Sequence, residues 1–249
     1  MKSFLSALSE NLQFVLLCLV VTAAVVLLAW GGEKLVMKRR RSLTAAHTVT
    51  TIAMMAAVSG VLMTLEIPLF FAPPFYKIDL SEVPVLICAF YLGPVPGVVC
   101  ELLKVMLKLL LKGTSTAFVG DFANFIVGCA FVLPASIVYP LHKSRRGAIA
   151  ALAVGTAVMT IFGSLFNALY LIPKFSELYG LPLDAIISMG SAANSAVHDL
   201  GTLVLFAVVP FNLLKGVLVS LLTFLLYKRV ERLFFRPAAQ NAAARHVAG

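Results

Sequence analysis

Two residues in the stretch PFNLLKGVLVSLLTFLLYKRV (210–230) are chemically out of place: the amide Asn212 and the ammonium Lys215, one helical turn apart inside an apolar run. A lysine near a bilayer centre costs about 2.5–3.5 kcal/mol on insertion scales. That cost is bearable where the ammonium faces a polar pocket, and Asn212 is its nearest expected companion. Similar groups recur elsewhere. Asp121 and Asn124 are one turn apart in TSTAFVGDFANFIVG (114–128), and Asn167 precedes Pro173 in FNALYLIPKF. Phe118, Phe122, Phe125, Tyr170, Phe206 and Phe211 lie beside these groups in sequence. Aromatic faces with a few oriented amides suit a planar heteroaromatic ligand carrying hydroxyls. The alternative is that the amides only bridge helices and glue a bundle together.

A second set follows helical spacing. Glu101, Lys104, Lys108 and Lys112 stand at i, i+3, i+7 and i+11, which places them on one narrow stripe. Glu101 and Lys104 are within pairing distance on such a stripe. Lys108 and Lys112 are expected to snorkel to the membrane interface. No phosphate loop, zinc-protease helix, nucleophile elbow or cysteine cluster is present, so ATP hydrolysis by a P-loop is excluded. Cys18, Cys88, Cys100 and Cys129 read as buried thiols, and His198 as a solvated loop residue. No inverted repeat is evident, which speaks against a self-sufficient secondary transporter.

The elements that must position these groups are membrane helices. The chain is 61% hydrophobic and 12% charged, which excludes an ordinary soluble domain. Seven apolar segments cover 12–30, 43–65, 83–92, 95–111, 117–141, 148–172 and 203–227. The third is short and runs into the Pro/Gly turn LGPVPG. Basic clusters at 38–41, at 142–146 and after 227 fall on one side of seven spans. By the positive-inside rule that side is the cytoplasm, with the N-terminus outside and the C-terminus inside. On the opposite side, the loop 66–84 contains FYKIDL, whose alternation fits a short extended segment and whose length fits a lid. The loop 173–201 is expected to hold a short helix at the membrane surface. TIAMMAAVSG offers two small-xxx-small pairs, Ala53 with Ala57 and Ala56 with Gly60, either of which permits close helix approach.

At KIDLSEVPVLICAFYLGPVPGVVCELLK, LLKGTSTAFVGDFANFIVG, FNALYLIPKF and PFNLLKGVLVSLLTFLLYKR, the chain resembles the riboflavin-binding substrate-specific (S) components of energy-coupling factor (ECF) transporters. The resemblance runs from about Thr44 to Arg232. It implies an all-α six-helix membrane bundle and a vitamin pocket on the outer side, closed by the first outer loop. By motif match Asn167, Asn212 and Lys215 contact the flavin, with Asp121, Asn124 and Asp79 in neighbouring motifs. An A-x-x-x-A motif, best matched by Ala53 and Ala57, packs on a membrane T subunit, and two cytosolic ATPase subunits complete the importer. Riboflavin is then cargo, and no cofactor is implied.

The organisation expected is an N-terminal transmembrane anchor and basic linker (1–42), a six-helix binding domain (43–232) and a disordered cytoplasmic tail (233–249). The anchor is extra to the family pattern and is expected to cover part of the T-subunit surface. Two further readings stay open. One keeps the S-component fold but binds FMN, a flavin analogue or another vitamin. The other is a membrane enzyme or flavin-holding sensor that uses Glu101 and Asp121.

Overall fold

The computed structural model describes residues 2–37, 43, 45–69, 73, 76–114, 116 and 118–234. The basic cluster 38–41 and most of the C-terminal tail (235–249) lie outside the described residues. All seven apolar segments are helical. They form α1 (Lys2–Val36), α2 (Ala46–Thr64), α3 (Glu82–Leu92), α4 (Pro94–Lys112), α5 (Val119–Val138), α6 (Arg145–Phe166) and, after three shorter helices, α10 (Val209–Phe234). The shorter helices are α7 (Ile172–Tyr179), α8 (Leu183–Ala193) and α9 (Leu200–Leu203). Among the described residues, five helical stretches are long and apolar enough to cross a membrane. The other two apolar segments are α3, with only 11 residues, and α4, which carries the Glu101–Lys112 stripe. The protein is thus a multi-pass, all-α membrane protein.

The local chemistry sets the joints. α4 starts from Gly93, whose φ of 113° is a conformation that side chains disfavour. Pro94 follows at the first helical position, where its missing N–H costs nothing. Ser144 caps α6 by accepting from the Gly147 N–H at 3.0 Å. Asp199 and Thr202 close a capping box at the start of α9. Two π-helical turns interrupt the long C-terminal helices: Asn167–Leu171 between α6 and α7, and Val204–Val208 between α9 and α10. The extended segment expected in the loop is present. β2 (Lys77–Ile78) pairs antiparallel with β1 (Ile67–Pro68), in register Ile67 to Ile78. The short helix expected in the loop 173–201 is α8.

α2 packs on α4, α5 on α6, and α6 on α10, while α3 is wedged between α2, α4, α5 and α10. The core is continuous through Leu86, Leu92, Phe131 and Met159. This packing separates the two small-xxx-small pairs of α2. Gly60 faces α4 so closely that an added Cβ would lie 2.8 Å from the Leu107 Cβ. Ala56 is buried on the same side, whereas Ala53 and Ala57 point outward.

α1 is longer than the apolar run alone indicated and packs against α4 and α5. It leaves Ala53 and Ala57 exposed. The docking has a chemical reason. Val95 is the second residue of α4, so its N–H has no acceptor within the helix, and the neighbouring Pro94 and Pro96 carry no N–H at all. The buried Glu33 side chain of α1 accepts from it at 3.2 Å. A Glu33→Ala variant is expected to destabilise the protein by about 1 kcal/mol, the usual cost of a lost helix cap. Thermal unfolding in detergent measures this.

Candidate functional site

A cavity of about 490 Å³ opens at the end of the bundle that carries the β1–β2 loop. That volume lies within the range usual for small-molecule sites. Its wall includes Asp79, Asp121, Asn124, Asn167, Asn212 and Lys215. All six residues singled out in the sequence therefore meet in one place, although they come from a loop, two separate helices and a π-helical turn.

Asn167 opens the π turn that follows α6. Its amide nitrogen donates to the Gly163 carbonyl at 2.7 Å, and its oxygen accepts from the Tyr76 hydroxyl at 2.7 Å. That oxygen retains a second lone pair for a ligand. Inserted π turns are frequent at functional sites because the extra residue re-aims the side chains around it. The second π turn ends one residue short of Pro210 and so aims Phe211 and Asn212 into the cavity. The Asn212 amide nitrogen makes one long hydrogen bond, 3.4 Å to the Ser164 hydroxyl. Asn124 lines the wall with its amide unbonded among the described residues.

Lys215 is buried, but its compensation is not the one expected. Its ammonium lies 3.1 Å from Asp79 Oδ2 and 3.0 Å from Glu82 Oε1. Two carboxylates, rather than the Asn212 amide, offset its burial. Asp79 also accepts from the Ser81 N–H at 2.9 Å and from the Ser81 hydroxyl. Burial alone would raise the Asp79 carboxyl, but the Lys215 and Lys104 ammonium groups and the Ser81 hydrogen bonds outweigh it and hold the pKa at about 2. Asp79 therefore stays ionised across physiological pH. Tyr76, on the same loop, is pushed well above the ordinary phenol range by burial and remains a hydrogen-bond donor.

Lys108 corrects a second expectation. It does not snorkel. Its ammonium is buried 2.5 Å from Asp121 Oδ1 and 3.2 Å from the Gly113 carbonyl, because α5 begins beside it. Asp121 Oδ2 is buried without a partner. Lys112 does reach the surface, where it pairs with Glu66 at 2.7 Å. Glu101 and Lys104 pair as their spacing indicated, at 2.5 Å and with no solvent exposure. Lys104 also approaches Glu82 at 3.4 Å.

The aromatic wall also differs from the sequence set. Of those six residues only Phe211 lines the cavity, joined by Tyr76 and Phe175. The Tyr76 and Phe211 rings meet at 5.1 Å between centroids. Phe118 and Phe206 face outward, and Phe125 is buried in a separate core cluster. Glu82 and Tyr76 were missed. A glutamate opening an apolar helix, directly after the alternating FYKIDL, was the available signal. Nothing local marks Tyr76 as the partner of a residue 91 positions away.

Residues 47–227 match the family of substrate-specific components of ECF transporters. The riboflavin transporter RibU of Staphylococcus aureus is 34% identical over 186 residues, which is 75% of this chain and 91% of that protein. The riboflavin transporter FmnP of Bacillus subtilis is 30% identical over 181 residues, 72% of this chain and 90% of that one. A solved structure of the S component of a bacterial ECF transporter shares 33% identity and a TM-score of 0.59, covering 76% of this chain and 98% of its own. The matched span runs from the start of α2 into α10, contains every cavity residue named above, and leaves α1 outside. The chain belongs to the substrate-specific component family of ECF transporters.

Proposed function

We propose that the protein is the riboflavin-binding subunit of an ECF importer, with Asn167, Asn212, Lys215, Asp121, Asn124 and Asp79 holding the vitamin. The single observation that carries this reading is the convergence of these six residues on one cavity. Its apolar wall of Phe211, Leu171, Ile186 and Phe175 suits the planar ring system. The free lone pair of Asn167, the Asn212 and Asn124 amides and the unpartnered Asp121 oxygen suit ring-edge polar atoms and the ribityl hydroxyls.

Charge favours riboflavin over FMN. The three lysines in the wall are each paired with a carboxylate: Lys77 with Glu66, Lys108 with Asp121 and Lys215 with Asp79. Among the described residues no lysine of the wall is left over for a phosphate, and the bare Asp121 oxygen repels one. An enzyme built on Glu101 and Asp121 is disfavoured, because Glu101 is sealed against Lys104 and does not line the cavity.

In this reading the cavity faces the cell exterior, the β1–β2 loop is its lid, and the C-terminus is cytoplasmic. The lysines and arginines of 143–146 and 228–232, at the other end of the bundle, agree with that orientation. The exposed Ala53 and Ala57 face of α2 takes the membrane T subunit, and ATP is hydrolysed on separate cytosolic subunits.

The test is to purify the protein in detergent from cells grown with riboflavin and record its visible spectrum. Near-stoichiometric flavin absorption is expected. Asn212→Ala should lose most of it, because a polar ligand edge is left unpaired at a cost of about 1–3 kcal/mol. A colourless protein that also fails to quench added riboflavin would exclude the assignment. Preferential binding of FMN would move it to the phosphorylated vitamin.

A further inference from the structure

Lys215 has two carboxylate partners of different kinds. Asp79 sits on the loop between α2 and α3, which the reading above makes the lid of the cavity. Glu82 sits in the first turn of α3, a helix buried along almost its whole length. Glu82 is itself held from behind. Lys104 reaches it at 3.4 Å and is gripped in turn by Glu101 at 2.5 Å. Glu101 is seated in a slot that exists because residue 128 is glycine: a Cβ there would lie 2.0 Å from Glu101 Oε1. Four charged side chains therefore run inward from the cavity floor in the order Lys215, Glu82, Lys104, Glu101, and the last is locked by backbone packing.

We infer that Glu82 is the positioning residue for Lys215, holding its ammonium in the ligand-binding geometry independently of the loop that carries Asp79. The inference rests on Lys215 being a ligand contact, as proposed above. When the loop moves away, the Asp79 contact goes with it. A buried ammonium without a counter-charge is strongly disfavoured and would reorient or give up its proton. Glu82 prevents both, so an open cavity keeps Lys215 charged and aimed. The carboxylate suits this place because it lies at a helix N-terminus, where negative charge is favoured. Glu82 does not line the cavity, so it acts through Lys215 and not on the ligand.

The experiment is a double-mutant cycle on riboflavin affinity, read by fluorescence quenching of the purified, full-length protein. Glu82→Gln keeps the shape and removes the charge. It is expected to weaken binding about tenfold, the difference between a charge-assisted and a neutral hydrogen bond. In a Lys215→Met background the same substitution is expected to change affinity by less than about twofold, and to recover part of the thermal stability lost on removing the ammonium. Equal losses in both backgrounds would overturn the inference, because they would mean that Glu82 acts by general structure. Unchanged affinity in Glu82→Gln alone, with Lys215→Met impaired, would overturn it while leaving the binding site intact. Unchanged affinity in Lys215→Met would remove the site itself. Should Lys215→Met not yield purified protein, Glu82→Asp decides. It keeps the charge but draws it back by one methylene, so binding should weaken, and wild-type binding would refute the positioning role.

Discussion

Lys215→Met is expected to weaken riboflavin binding by about 100-fold, the equivalent of about 2.7 kcal/mol. Methionine has nearly the length of lysine and fits an apolar wall better, so a purely steric view predicts tighter binding. The electrostatic view predicts the reverse. A hydrogen bond from a charged donor contributes about 1.5–3 kcal/mol, and the ligand would lose it. The loop loses as well, because the ammonium is what ties Asp79 to the bundle at 3.1 Å. Asp79 would then lose its ammonium partner and Glu82 would keep only Lys104, at 3.4 Å, and ligand dissociation should accelerate more than association slows. Fluorescence-quenching titration with stopped-flow off-rates reads both effects. Affinity equal to wild type would remove Lys215 from the site.

Lys104→Met is expected to have the largest effect on stability. Lys104 is completely buried between Glu101 at 2.5 Å and Glu82 at 3.4 Å. Removing one partner of a buried ion pair costs about 3–5 kcal/mol, because the charge left behind remains desolvated. Here two carboxylates lose a shared partner. At about 2–4 °C per kcal/mol for a chain of this size, the melting temperature should fall by about 10 °C. Glu101→Gln is the control. It removes a charge yet keeps a hydrogen-bond acceptor for Lys104, and Glu82 still compensates that ammonium, so its loss should be clearly smaller. Equal melting of Lys104→Met and wild type would show that the interior network contributes nothing net.

These predictions separate two uses of charge in one bundle. The Glu101–Lys104 pair is sealed in the core and has no route to a ligand. The Lys215–Asp79 pair lies in the cavity wall, with one partner on a helix and the other on a loop. Glu82 connects the two pairs by touching both ammonium groups. The ionic cluster thereby joins the rigid core of the bundle to its binding face.

By itself, the sequence determined what depends on composition and on near-neighbour spacing. Apolar runs long enough to span a membrane specify helices, whatever they pack against. Glu101 and Lys104, three residues apart, are brought together by helix geometry alone. The Asn212-x-x-Lys215 spacing puts both groups on one face, and the cost of burying them marks that face as a polar site. The tertiary structure decided every partner that is far away along the chain. Lys215 finds Asp79 136 positions earlier, and Tyr76 finds Asn167 91 positions later. Helical periodicity says which residues share a face but not which helix that face will meet. For the same reason Lys108 turned out to be buried once α5 placed Asp121 beside it. The outward face of α2 became Ala53 and Ala57 only because α4 took Ala56 and Gly60. The Val95 N–H has no acceptor within α4 because it lies in the first turn, and only the docking of α1 supplied Glu33.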